Sequence, residues 1–374
     1  MSQAFLDQVK AFAEQVILPA ASDWSMGARP DLNVYEVAGQ IGILGMQVPQ
    51  AFGGLGLDFT TRAAACRILA GADFGFAMSL VNSHNIALRL SESAPDALCQ
   101  QYTPNLLSGE ISACTALTEP GTGSDFAAVT TKVTPTGAGW VLNGEKTWII
   151  NGRDAGLSIV YAQCGTLGDV KGIGAFLVDL SAPGVRRYAI DSGFAQTSMG
   201  TGGFVFDNVE LAQNALLIAP GTAFKAIMTE INGARTYVAA MCNGMLARAI
   251  HDAAAYGARR QSFGKPLNAI LSWQAGLSAA KAALDASEAT TAQATALVNS
   301  GKDAQLLAAQ AKIDAVTAAQ KHLPELLQLM GAEGLRPEHV FCRHIAAAQS
   351  AGFTDGATNI LKDRVDRLTG QKGP

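Results

Sequence analysis

The stretch Leu117-Thr118-Glu119-Pro120-Gly121-Thr122-Gly123-Ser124-Asp125 follows a short alternating run and carries two glycines, Gly121 and Gly123, interleaved with the hydroxyl residues Thr122 and Ser124. Glycines let successive backbone N–H groups turn toward one point, where they can hold an anion or the polar edge of a ring. The same composition also describes an ordinary surface turn. Downstream, Asn143-Gly144-Glu145-Lys146-Thr147-Trp148-Ile149-Ile150-Asn151-Gly152 supplies an indole, Trp148, that could stack on a flat ring or simply pack on a core. Arg260 offers a charged fork of donors suited to phosphate, or a plain cation at a helix C-terminus. Asp355, within Phe353-Thr354-Asp355-Gly356-Ala357-Thr358-Asn359-Ile360, could be a general base or the N-cap of a last helix.

The elements that must position these groups follow from period and punctuation. Phe5, Val9, Phe12 and Val16 fall on one helical face, and Pro19 is expected to stop that helix. Gly45 to Gly56 holds too many breakers for a regular element and reads as a shaped loop between helices. From about residue 111 the texture turns to short β-branched runs, with Asn143-Gly144 expected as a hairpin turn and Asn151-Gly152 closing the next run. After about residue 219 come long Ala/Leu patterns, roughly 220–258, 268–299, 302–332, 336–350 and 356–368. The expected fold is α+β and multidomain. It has an N-terminal helical domain (1–112), a middle antiparallel β-domain of sandwich or barrel type (113–218) and a C-terminal four-helix bundle (219–374).

Composition narrows the function. With 27 Lys+Arg against 31 Asp+Glu the net charge of the 374 residues is −4, so there is no basic footprint for nucleic acid or anionic lipid. Only 16% of residues are charged and 49% are hydrophobic, too few charges to coat such long helices, which points to burial between subunits. Cys66, Cys99, Cys114, Cys164, Cys242 and Cys342 are scattered without a CxxC pair and read as reduced thiols in a cytoplasm. His84, His251, His322, His339 and His344 show no metal-ligand spacing, so no metal is expected. The sequence opens directly into an amphipathic pattern and no apolar run approaches ~18 residues, so neither a secretory leader nor a membrane span is expected.

Several of these segments together resemble one family. The Leu117–Asp125 stretch is similar to the TEPxxGSD flavin-binding loop of the acyl-CoA dehydrogenases, and Asn143–Gly152 to their NGxKxWITNG hairpin. Gly45–Gly56 resembles their LGxxxPxxxGGLG loop, Arg260–Leu267 their RxxFGKP helix turn, and Gln328–Gly334 their QxxGGxG turn. The resemblance spans about residues 5–368. It implies FAD as cofactor, with Leu117, Thr118, Gly123, Ser124, Trp148 and Ile150 facing the flavin. Arg260, Ser262, Phe263, Gln328, Gly331, Ala332 and Asn359 would bind FAD, the Arg260 and Gln328 segments reaching that of a neighbouring subunit. Ser124, Arg235 and Gly356 would meet an acyl-thioester substrate, on CoA or a carrier protein. Partners implied are electron-transfer flavoprotein or a similar acceptor and a second copy of the chain, as homodimer or homotetramer.

The base is the informative position. The family places a glutamate either in a C-terminal YEGT motif or just before an arginine of the first long C-terminal helix. That arginine matches Arg235, 25 residues before Arg260, and Ala234 precedes it. In the resemblance of Phe353–Ile360 to the C-terminal motif, Asp355 stands where the other glutamate would, with a side chain one methylene shorter, and the segment Arg343–Asp355 is about two residues longer than the family pattern and lacks its RD pair. Ile150 stands where a Thr or Ser hydroxyl usually meets flavin N5 and cannot make that bond. The implied reaction is α,β-dehydrogenation: Asp355 removes the α-proton while the β-hydride passes to flavin N5. The thioester carbonyl would be polarised by the Asp355 N–H and the ribityl hydroxyl. The competing readings are a flavin oxidase of the same fold, as in the nitroalkane oxidases that use aspartate at the matching position, and a non-catalytic or nucleic-acid-binding relative, against which the absent basic patch argues.

Overall fold

The computed structural model describes residues 2–191 and 196–370. The first helical run comprises α1 (Ser2–Phe12), a π-helical turn over Ala13–Ile17 and α2 (Leu18–Ser25). Pro19 thus does not stop the helix. Proline lacks an N–H and crowds the carbonyl four residues back, and a π-turn placed just before it widens the ladder enough for the chain to stay helical. Phe5, Val9 and Phe12 bury the expected face. Next come α3 (Leu32–Ile41), α4 (Phe59–Ala72), α5 (Phe74–Ser93) and α6 (Asp96–Ser108). The Gly45–Gly56 stretch between α3 and α4 is a loop with one 3-10 turn over Gln50–Phe52, and a Cβ on Gly54 would lie 2.1 Å from the Val48 carbonyl oxygen. Asp58 caps α4 by accepting from Thr61 N at 2.8 Å, and Asp73 caps α5 by accepting from Phe76 N at 2.7 Å.

The middle of the chain folds as β1 (Ala113–Ala116), β2 (Lys132–Pro135), β3 (Gly139–Ile149), β4 (Leu157–Gln163), β5 (Ile173–Asp179), β6 (Val185–Ala189), β7 (Gly202–Ala212) and β8 (Leu216–Ile218). They form one sheet in the order β6-β7-β3-β2-β4-β5-β8, with β1 on β4. The sheet is not wholly antiparallel as expected, because β1 runs parallel to β4 and β2 meets β4 in parallel at one pair. Asn143-Gly144 is not a hairpin turn either. It lies inside β3, where the ladder to β7 slips at Leu142/Gly144 and Gly144 takes φ +143°, and a Cβ there would sit 2.7 Å from Thr131 Cα. Glycine inside a strand marks a bulge or a close backbone approach, and this one does both.

The chain then returns to helix: α7 (Ala223–Arg259), the β9 (Gln261–Ser262) and β10 (Lys265–Pro266) ribbon, α8 (Leu271–Asn299), α9 (Gln305–Met330), α10 (Phe341–Phe353) and α11 (Thr358–Thr369). The expected turn after α7 is in fact this tight hairpin. Its two loop residues, Phe263 (φ +52°) and Gly264 (φ +75°), are both left-handed, as a type I′ turn requires. Helix α7 packs on α4, α8, α9 and α10, so the first helices and the last share one core through it.

Candidate active site

A cleft of about 1750 Å³ opens between the sheet and helices α4, α5, α7, α10 and α11. Single ligand sites run to ~300–1000 Å³, so this space suits a cofactor and a substrate side by side. Leu117, Thr118, Gly123, Ser124, Trp148, Ile150, Arg235, Asp355 and Gly356 all line it, although they come from four separate stretches of sequence.

The loop after β1 is held by a buried ion pair. Lys146 Nζ lies 2.8 Å from Glu119 Oε1 and donates to the Leu117 carbonyl at 2.8 Å, while Glu119 also accepts from Thr130 N at 2.7 Å and Thr131 N at 2.9 Å. Burial would push Glu119 up, but Lys146 and the two threonines outweigh it and hold the carboxyl down at about 2. Among the described residues, the N–H groups of Thr118, Gly123 and Ser124 meet no acceptor, which leaves donors at the cleft wall. A second irregularity in β3, between Lys146 and Ile149, puts Trp148 at φ +56° and swings its indole out, 60% exposed on the cleft wall. A large aromatic at positive φ is uncommon and persists only where the surroundings enforce it. Ile150 follows, lining the cleft with no hydroxyl.

On the opposite wall α10 ends at Phe353 and the chain kinks through Asp355 (φ +54°) and Gly356 (φ +109°). Asp355 does not cap α11, whose N-cap residue is Ala357. The kink is fastened by two buried cations: Arg235 Nε donates to the Asp355 carbonyl at 3.1 Å, and Lys312 Nζ donates to the Gly356 carbonyl. The Asp355 carboxylate makes no hydrogen bond through Oδ2, which is buried, and the N–H groups of Asp355 and Gly356 meet no acceptor among the described residues. Burial pushes the Asp355 carboxyl above the usual range, while Lys312, Arg235 and Arg62 pull the other way. Burial also lowers Lys312 to about 8 and Arg235 to about 10. Ala234 lines the cleft beside Arg235, so no carboxylate stands there.

Sequence reasoning passed over Arg62, Tyr237 and Lys312. Lys312 left a signal, since it falls in the stripe Ala308, Ala311, Ala315, Val316, Ala319 that α9 buries, where a cation is out of place. Arg62 sits likewise among the buried residues of α4.

The remaining expected cofactor residues do not line this cleft. Arg260, Ser262 and Phe263 sit on the β9–β10 hairpin and Gln328, Gly331 and Ala332 at the C-terminal end of α9. Trp273 of α8 ties these places to one end of the bundle, donating Nε1 to the Leu329 carbonyl at 3.3 Å and packing against Gly257. Phe263 is 92% exposed there. Asn359 is exposed on the first turn of α11, beside the lining residue Ile360.

The cleft thus lies where the first helices, the sheet and the last helices meet. Family models for the N-terminal, middle and C-terminal domains of acyl-CoA dehydrogenase match residues 2–110, 114–209 and 221–368. The chain belongs to the acyl-CoA dehydrogenase family. It is 30% identical over 362 residues to the human mitochondrial short-chain specific acyl-CoA dehydrogenase, covering 96% of this chain and 88% of that one. The butyryl-CoA dehydrogenase of Megasphaera elsdenii superposes with a TM-score of 0.92 at 27% identity, over 98% of this chain and 97% of the other. A chain in the structure of the electron transferring flavoprotein of Acidaminococcus fermentans gives a TM-score of 0.93 at 25% identity, over 99% and 98%.

Proposed function

We propose that the protein is an FAD-dependent dehydrogenase of acyl thioesters, with Asp355 as the base. The observation that carries this is Asp355, which lines the large cleft with its Oδ2 buried and without a hydrogen bond, in the same cleft as the exposed indole of Trp148. The wall fits a flavin: Trp148 offers a face for the ring, and the N–H groups of Thr118, Gly123 and Ser124 offer donors for its polar edge and phosphates. Leu117 and Ile150 would supply apolar contact. Asn359 would add a contact to the cofactor, and Arg260, Ser262, Phe263, Gln328, Gly331 and Ala332 would complete the site of a neighbouring copy, which makes a homodimer or homotetramer the working form. When bound, FAD supplies the acceptor for a hydride from the substrate β-carbon.

The chain's own groups do the rest. Asp355 takes the α-proton, and its raised pKa brings it closer to the carbon acid it must deprotonate. The free N–H of Asp355 would donate to the thioester carbonyl, where charge develops as the proton leaves. Arg235 and Lys312 hold the kink that aims both groups, and the apolar neighbours keep water out. The carrier of the acyl group is CoA in this reading, electrons leave to an electron-transferring flavoprotein, and the setting is cytoplasmic. An oxidase acting on nitroalkane-like substrates is the weaker reading, because the curated relative named above is a dehydrogenase. Anaerobic titration of the yellow holoenzyme with a series of acyl-CoAs should bleach the flavin, with slow peroxide release in air. Bleaching by a nitroalkane and by no acyl-CoA would reverse the assignment.

A further inference from the structure

Helix α4 turns Arg62 into the cleft wall, 6% exposed. Its Nη1 donates to Gln47 Oε1 at 2.9 Å, its Nη2 donates to Asn85 Oδ1, and its guanidinium carbon lies 4.7 Å from the ring centroid of Tyr237. Nε has no partner. No described carboxylate lies within ion-pair distance. Asp58, one turn back, spends its carboxylate on the amide and hydroxyl of Thr61. Cys66, one turn on, stays neutral because burial pushes its thiol up to about 11.

Three other cations of the cleft are already engaged. Arg89 pairs with Glu92 and Glu230, and Arg235 and Lys312 hold the carbonyls of Asp355 and Gly356. Arg62, Arg235 and Lys312 all draw on the carboxylate of Asp355. That carboxylate becomes neutral when it accepts a proton, and none of the three cations then has a carboxylate within ion-pair distance among the described residues. A guanidinium stays charged at any working pH, and burying it without a counter-charge is costly.

The geometry points to a substrate that brings the missing charge: an acyl thioester whose chain ends in a carboxylate. The carboxylate would sit on the Arg62 fork, with the Tyr237 hydroxyl and the Gln47 amide N–H groups as further donors. The oxygens of Gln47 and Asn85 face Arg62, so both are turned to hold the guanidinium in place. Asn85 Nδ2 in turn donates to the Tyr237 hydroxyl at 3.3 Å, which leaves the phenolic proton to point elsewhere. A planar, bidentate partner is what arginine recognises best. This inference rests on the dehydrogenase reading of the cleft.

The test uses the FAD-loaded protein and chain-matched pairs: glutaryl-, adipoyl- and pimeloyl-CoA against valeryl-, hexanoyl- and heptanoyl-CoA. Binding is followed by calorimetry and reaction by anaerobic flavin bleaching. The wild type should favour one ω-carboxy member over its neutral partner by about 10²-fold or more in kcat/KM, because a site built for a polar group rejects the analogue lacking it. Arg62→Met should collapse that ratio to near one or invert it, and Arg62→Lys should restore part of it. A wild type that prefers the neutral partner at every length overturns the inference, and so does an Arg62→Met ratio equal to wild type. If no thioester bleaches the flavin yet the ω-carboxy members still bind at least tenfold tighter, the anion site stands and the dehydrogenase reading fails. Equal binding of both members removes the anion site. Should Arg62→Met lose its flavin or fold, the wild-type ratio alone decides.

Discussion

At the scale of the residue, Asp355 is set by two opposed effects. Burial raises its pKa, and Lys312 is the strongest of the cations that draw it back. Lys312→Met removes that pull, so the ascending limb of flavin reduction against pH should move to higher pH. An unmoved limb would mean that Lys312 only ties down the Gly356 carbonyl. Glu119 makes the contrasting case, a carboxyl held down at about 2 by Lys146 and its hydrogen bonds. Because its folded pKa lies below the unfolded value, its stabilisation is present above the ordinary carboxylate range and is lost as pH falls through about 2. Glu119→Gln leaves Lys146 buried without a counter-charge and should cost about 3–5 kcal/mol, read as a lower urea midpoint at unchanged slope. Asp355 was legible because it stands in a recognisable segment, whereas its setting was not. Arg62 and Lys312 reach it from α4 and α9, and only tertiary packing brings those helices together.

At the scale of the element, the departures from sequence expectation share a cause. Asn-Gly is the strongest local hairpin signal, yet at Asn143-Gly144 the ladder to β7 resumes beyond the bulge and the strand continues. Pro19 is a strong local stop, yet a π-turn absorbs it and α2 goes on to bury Ala21 and Trp24. In both, packing against neighbours outweighs a preference of one or two residues. The expected helix runs of the C-terminal half held because each repeats its pattern over many turns. Gly144→Ala tests the bulge: the new Cβ would press on Thr131 Cα, which cannot move without shifting β2. The expected cost is about 1–3 kcal/mol, with weakened FAD retention as Trp148 loses its place. Wild-type stability and flavin content would show that the bulge is incidental.

At the scale of the whole molecule, the proposed cofactor residues fall in two places. The cleft of one chain holds Thr118, Trp148 and Asp355, while Arg260, Phe263 and Gln328 stand at one end of the helical bundle, away from it. A phenylalanine 92% exposed at a strained turn makes sense if a second copy covers it. Arg260→Ala should weaken FAD retention about tenfold or more, since a charged hydrogen bond to phosphate contributes about 1.5–3 kcal/mol, while circular dichroism stays unchanged. Phe263→Asp should shift the oligomer toward smaller species in light scattering and release flavin in parallel. An active, flavin-loaded monomer would break this account of the assembly.

The central claim is that Asp355 removes the substrate proton, and single-turnover flavin reduction under anaerobic conditions reads that step directly. With a thioester the wild type turns over, Asp355→Asn should keep its FAD and still bind the substrate but reduce the flavin more slowly by about 10²-fold or more. Reduction at the wild-type rate by Asp355→Asn would place the base elsewhere and contradict the account.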